Sequence, residues 1–209
     1  MIIRNYRADT GKWLSQDLIG YPDGWNNFTY CGNISNMSID YLGAILESPS
    51  SMQGVIDTLS RTKTGKSVID QLKASKNLHR INENNTGSGS EINATNKSAA
   101  SNGTGCGFTI DMDTFNPNNS SPNGTGWNRP YELGVMHELQ HSLDIDKGRL
   151  DKTENNGIEN CEIDACRETN RVLKKLQGLS LEDSILYGDY KPRTTYGGRQ
   201  LPNSAVNPE

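Results

Sequence analysis

The sequence is short of apolar residues, of histidine, of paired cysteines and of net charge, and each shortage removes a class of protein. Hydrophobic residues fill 33% of the 209 positions, and the mean hydropathy is −0.72. Such a chain supports one modest core with much of its length in loops, so one ordinary domain with an appendage is expected. No run approaches the ~20 apolar residues of a membrane-spanning helix. The N-terminus, Met1-Ile2-Ile3-Arg4-Asn5-Tyr6-Arg7, lacks the apolar stretch of a signal peptide. The net charge is −4, with 21 basic and 25 acidic residues interspersed. That balance argues against a protein that tracks phosphates, and so against a nucleic-acid partner or a nuclease. Cys31, Cys106, Cys161 and Cys166 form no CxxC pair and no zinc-ribbon spacing, and are expected to be reduced thiols.

Of only three histidines, two fall in His137-Glu138-Leu139-Gln140-His141. A helix is predicted there, with Asn128 as its cap, Pro130 in its first turn, and Leu133, Met136, Leu139 and Leu143 as an inward stripe. Four positions apart on a helix, His137 and His141 share a face and can share a metal ion. Glu138 is offset by about 100° and can reach a water at that metal without being a ligand. Zinc hydrolysis needs this division: neutral nitrogens on the ion and a carboxylate base beside its open position.

A catalytic zinc takes a third protein ligand. Residues Ile158 to Leu176 read as a second helix that offers Glu159, Glu162, Asp164 and Glu168. Zincins with a glutamate ligand place it on the next helix, and Glu162, 21 positions after His141, is the first choice. Glu159 ranks second and Glu168 third. Asp144, seven positions after His137, is a separate candidate, either as a ligand or as a residue that orients one. Near the C-terminus, Arg193 and Tyr196 supply a cation and a phenol able to stabilise a developing oxyanion. The remaining histidine, His79, is expected to be structural.

Three zones separate by composition. Residues 1 to 43 look like short strands joined by turns at Asp9-Thr10-Gly11, Pro22-Asp23-Gly24 and Cys31-Gly32-Asn33. From about 44 to 81 the pattern is helical, with apolar clusters Val55, Ile56, Leu59 and Val68, Ile69, Leu72 on either side of a break at Thr64-Gly65. A strand is expected from His79. Residues 82 to 105 are almost wholly Asn, Ser, Thr, Gly and Ala, and are expected to form a loose loop or a strand-edge excursion. Cys106 to Met112 alternates as a strand, and a turn-rich link, Asn116 to Asn128, follows. The fold class expected is α+β, zincin-like, with the motif helix packed under a small, mostly antiparallel sheet.

The stretch from about 52 to 200 resembles the NleD-type effector metallopeptidases. The resemblance rests on Thr62-Lys63-Thr64-Gly65-Lys66 followed by Leu72, on Met136 to Asp144, on Glu168-Thr169-Asn170-Arg171, and on Pro192-Arg193-Thr194-Thr195-Tyr196-Gly197-Gly198. It implies that His137 and His141 hold Zn2+, that Glu138 is the catalytic base, and that the substrate is a protein. Residues 1–43 are similar to the C-terminal end of an Rhs/YD-repeat core. Asp9 to Gly20 resembles its TGRFLSxDPIG segment and Asp40-Tyr41-Leu42-Gly43 its terminal DPxG, although Leu18 and Tyr41 stand where that pattern has proline. Asp17 and Asp40 are the matching candidates for self-cleavage. The domains expected are thus an Rhs-core remnant, 1–43, and a metallopeptidase, 44–209. These likenesses imply a toxin or effector made in a bacterial cytoplasm, exported or injected by a secretion system, with an Rhs shell and an immunity protein as partners. The rival reading is an inactive Rhs-tip interaction module with a structural metal.

Overall fold

Four strands, two helices and a long buried helix set the frame that holds the motif. The structure, a computed structural model, describes residues 6–7, 12–13, 46–84, 90–113 and 129–209. Of the N-terminal zone it gives strands β1 (Tyr6–Arg7) and β2 (Lys12–Trp13), paired antiparallel. The rest of the remnant expected over 1–43, with Asp17, Cys31 and Asp40, lies outside the described residues, as do the link 116–128 and the expected cap Asn128.

Strand β3 (Leu46–Glu47) leads through one 3-10 turn, Ser50–Met52, into α1 (Gln53–Ser60) and α2 (Lys63–Lys73). Ile56 and Leu59 of α1 are buried, as are Val68, Ile69 and Leu72 of α2. The break between them falls at Arg61–Thr62 and not at Thr64-Gly65. Thr62 leaves the helical conformation and its hydroxyl accepts the Gly65 N–H at 3.1 Å, an N-cap. Gly65 lies within the first turn of α2, where a side chain would run into the Leu59 carbonyl.

Strands β4 (His79–Asn84), β5 (Glu91–Ala94) and β6 (Phe108–Asp113) join β3 in a sheet of order β3-β4-β6-β5. On β6, buried Phe108, Ile110 and Met112 alternate with half-exposed Thr109, Asp111 and Asp113, as one covered face requires. The expectation of a mostly antiparallel sheet is corrected here. Strand β4 runs parallel to both β3 and β6, and only the edge strand β5 is antiparallel. The connections explain this. The pair α1–α2 carries the chain back to the start of β4, a crossover that delivers parallel strands. Strand β5 then reverses direction but pairs with β6, so β6 slots between the two.

Over residues 82–105 the expectation is a loose loop or a strand-edge excursion; of these, 82–84 and 90–105 are described, and they include the edge strand β5. Strands β4 and β5 take part of them, and Ala99 and Ala100 are buried. The segment from Ala99 to Gly105 is held by backbone bonds: Gly105 N–H to Ala99 O at 2.9 Å, Gly103 N–H to Gly148 O at 2.7 Å, and Leu150 N–H to Ala100 O at 2.9 Å. Polar composition is compatible with order where main-chain groups find partners.

After residue 129 come α3 (Tyr131–Asp146), β7 (Glu154–Asn155), β8 (Ile158–Glu159), α4 (Asn160–Gln177), α5 (Leu181–Tyr187), β9 (Thr195–Tyr196), β10 (Arg199–Gln200) and α6 (Asn203–Val206). Pro130 is the N-cap residue of α3, with no side-chain cap bond. Helix α3 packs against α1, α2 and α4 and against β5 and β6. Every residue from Leu133 to Asp146 is consequently buried, so the expected apolar stripe is one side of a helix with almost no solvent face. A second, smaller cluster, Ile158, Ile163, Cys166, Leu201 and Ala205, ties the start of α4 to the C-terminal segment. The architecture is mixed helix and sheet. No helix among the described residues is long and apolar enough to cross a membrane.

Candidate active site

Helix α3 carries His137, Glu138 and His141 through the centre of the fold, and the first turn of α4 brings Glu162 against them. The start of α4 is fixed from the preceding loop. The Thr153 and Asp151 carbonyls accept the Asn160 and Cys161 N–H groups at 2.9 and 2.8 Å. The Asp151 carboxylate accepts from the Asn160 amide at 2.9 Å and from the Thr153 N–H at 2.8 Å. These bonds satisfy main-chain donors that a helix start otherwise leaves open.

Three atoms then meet. His137 Nε2 lies 3.1 Å from Glu162 Oε2, His141 Nε2 lies 3.4 Å from the same oxygen, and the two nitrogens are 3.3 Å apart. A tetrahedral ion with bonds of about 2.0–2.1 Å keeps its ligands about 3.3–3.4 Å from one another. The three donors therefore already have the spacing of three corners of such a tetrahedron, and their chemistry, two imidazoles and a carboxylate, fits a divalent cation. The electrostatics agree. Burial pushes His137 down to about 3, which keeps a lone pair on the ring. On His141 burial is outweighed by Cys161, Glu162 and Glu138, which push it up to about 10. The carboxylates of Glu162 and Glu138 thus favour a positive charge at this point.

Glu138 is buried, and that burial raises its carboxyl above the ordinary range against the pull of His141 and Arg129. A carboxylate made more basic in this way suits proton transfer. Tyr196 comes from β9. Its ring lies 6.3 Å from that of His137 at 14°, and the Arg193 guanidinium is 4.5 Å from its centroid. Burial, and then the charge of Glu162, raise the phenol well above its usual value.

The other candidates stand apart. Glu159 is the N-cap residue of α4 and accepts from the Cys161 thiol at 3.5 Å. Glu168 is paired with Arg171, and Asp164 with Arg167 at 2.5 Å. Asp144 accepts from Arg149 at 2.8 Å and from Gln140 at 3.2 Å. Glu168, Asp164 and Asp144 line a different cavity, between α2, α3 and α4, and Asp144 does not meet the histidine pair, whereas Glu159 lines the cleft that passes His141 and Glu162. His79 is wholly buried against Phe108, ring centroids 4.3 Å apart, with Asp146 Oδ1 3.2 Å from its Nε2. Sequence reasoning missed Arg129, whose charge acts on Glu138 from just before α3, and Cys161, which faces His141. Neither belongs to a spaced motif; only the proximity of Arg129 to the motif helix could have suggested it.

A cleft of about 900 Å³ passes His141 and Glu162. Its walls are Glu91 to Ala94 of β5 on one side and Asp151 to Thr153 on the other.

Two imidazoles one helical turn apart, a carboxylate from the next helix and a buried carboxylate beside them define a candidate metal-dependent hydrolase site. Residues 38–174, well over half the chain, match the model of the Peptidase_M91 family, described as effector proteins, and the chain belongs to that family. The match spans His137, Glu138, His141 and Glu162 and ends before Tyr196. No curated protein matches.

Proposed function

We propose that the protein is a zinc metalloendopeptidase of zincin-like architecture that acts as a bacterial toxin or effector on a protein substrate. The observation that carries this reading is the triangle of His137 Nε2, His141 Nε2 and Glu162 Oε2, with edges of 3.1 to 3.4 Å. These three residues would hold zinc, which when bound would polarise a carbonyl and lower the pKa of a water so that it can lose a proton and become a nucleophile. Glu138 takes that water's proton and passes it to the leaving amine. Tyr196, with Arg193 against its ring, faces the charge that develops on the carbonyl oxygen. A substrate strand enters the cleft along β5, which is an edge strand of the sheet among the described residues and can pair with an extended peptide.

The cluster among the described residues has three protein donors. Three is the number of protein ligands beside which catalytic zinc keeps an open position. An Rhs-core remnant over 1–43 ahead of a peptidase over 44–209, with an Rhs shell and an immunity protein as partners, belongs to the same proposal.

Glu138→Gln is expected to bind zinc and melt like the wild type while losing about 10²–10⁴-fold in activity. The measurement compares new protein N-termini in lysates treated with each form. Equal cleavage by the variant would overturn the assignment.

A further inference from the structure

Two hairpins flank the candidate site, and one side chain joins them. Strands β7 and β8 turn at Asn156 and Gly157, with φ of 52° and 73°; strands β9 and β10 turn at Gly197 and Gly198, with φ of 54° and 77°. Both are two-residue turns of the left-handed kind that matches strand twist. The first hairpin runs directly into α4 and so sets where Glu162 begins its turn. The second carries Tyr196, whose cross-strand partner is Arg199. The Arg199 guanidinium donates to the carbonyl of Gly157, at the tip of the first hairpin. Glycine at 157 suits this contact: its φ is positive, and a Cβ there would meet the guanidinium and make it shift. The chain is thereby closed into a ring: Glu162, the β7–β8 tip, Arg199, Tyr196, and back to Glu162, whose charge acts on the phenol.

We propose that Arg199 is a positioning residue, which clasps the Tyr196 hairpin to the Gly157 tip and so fixes the phenol against Glu162. The inference rests on the metal-site reading above, since it assigns Arg199 its effect through a proposed ligand. Arg199 itself is exposed and touches neither the imidazoles nor Glu138 among the contacts of the described residues.

The test uses the full chain as wild type, Arg199→Ala, Arg199→Lys, Tyr196→Phe and the Arg199→Ala/Tyr196→Phe pair. Hydrogen exchange is expected to rise on the order of tenfold in both hairpins of Arg199→Ala, at 154–159 and 195–200 together, while β4 and β6 keep their protection. Arg199→Lys, which still donates to a carbonyl, recovers part of it. Zinc affinity, read by competition with a chelating dye, is expected to weaken by about tenfold in Arg199→Ala, and the substitution adds nothing further in the Tyr196→Phe background. Unchanged exchange in both hairpins of Arg199→Ala overturns the clasp. An equal loss of zinc affinity with and without the Tyr196 hydroxyl overturns its action through the phenol. If the wild type binds no zinc, the metal-site reading fails, and the exchange arm still decides whether the clasp exists.

Discussion

Glu162 and Asp144 are both acids packed near the histidines of α3, and they differ in what neutralises them. Glu162 faces two imidazoles, which hold its carboxyl far below the usual range against the cost of burial. Asp144 already has Arg149 and Gln140. Glu162→Gln is therefore expected to lose more zinc affinity than the ~10–100-fold typical of an outer partner, while Asp144→Asn keeps it within a few-fold and costs about 1 kcal/mol in stability. Isothermal titration with zinc, beside a urea melt, separates the two; comparable loss of zinc affinity in both would reject the ligand assignment. The sequence made the pair His137 and His141 legible because one helical turn dictates their shared face. It left Asp144 open for an instructive reason. Seven residues return to nearly the same angle, but they also climb about 10.5 Å along the axis, two turns away from a metal at His137. Angle alone was readable; distance along the axis and the position of α4 were not. Arg129 shows the same limit, since where a side chain ahead of a helix folds back depends on neighbours from other elements.

At the scale of elements, the end of α3 is pinned to the sheet through a buried His79–Asp146 contact, and Asp146 also accepts from Ser75 and Asn77. Burial pushes His79 down to about 4, despite the Asp146 charge that favours its protonated form. The folded state thus refuses a proton that the unfolded chain takes near pH 6.5. Between those values the unfolded state binds more protons, so stability falls as the pH falls, by about 3 kcal/mol in all, and is fully present above pH 6.5. Urea midpoints of wild type and His79→Gln at pH 7.5 and 4.5 check this: the wild type should lose the larger share on acidification, and parallel losses would count against it. Helix α2 gives a second prediction. Gly65→Ala meets the Leu59 carbonyl and should destabilise by about 1–3 kcal/mol, whereas Gly54→Ala, in open space on α1, should be neutral or stabilise by up to about 1 kcal/mol. Thermal melts decide it, and equal effects would remove the close approach at Gly65. Helix and strand positions were largely legible from apolar spacing. Strand direction was not, because periods of two and 3.6 report which face is buried and carry no sign of whether β4 and β6 run the same way. That depended on which neighbour β5 chose.

For the whole molecule, the main sheet of the described residues begins at Leu46. Leu46 pairs with His79 at the edge of the sheet and is buried, and Met52, wholly buried, closes the 3-10 turn under Tyr131. Among the described residues, every strand of the main sheet lies after the boundary proposed at 43/44. A chain beginning at residue 44 is expected to keep the melting temperature, zinc stoichiometry and any proteolytic activity of the full protein. One beginning at residue 53 loses β3 and Met52, and since removing one large buried side chain alone costs about 2–5 kcal/mol, it should be strongly destabilised or unfolded. Calorimetry and zinc content on the two truncations give the answer. If the chain from residue 44 fails to fold while the full chain folds, residues 1–43 are part of the peptidase's own body, and the proposal that they are a remnant of a separate delivery core falls with that result.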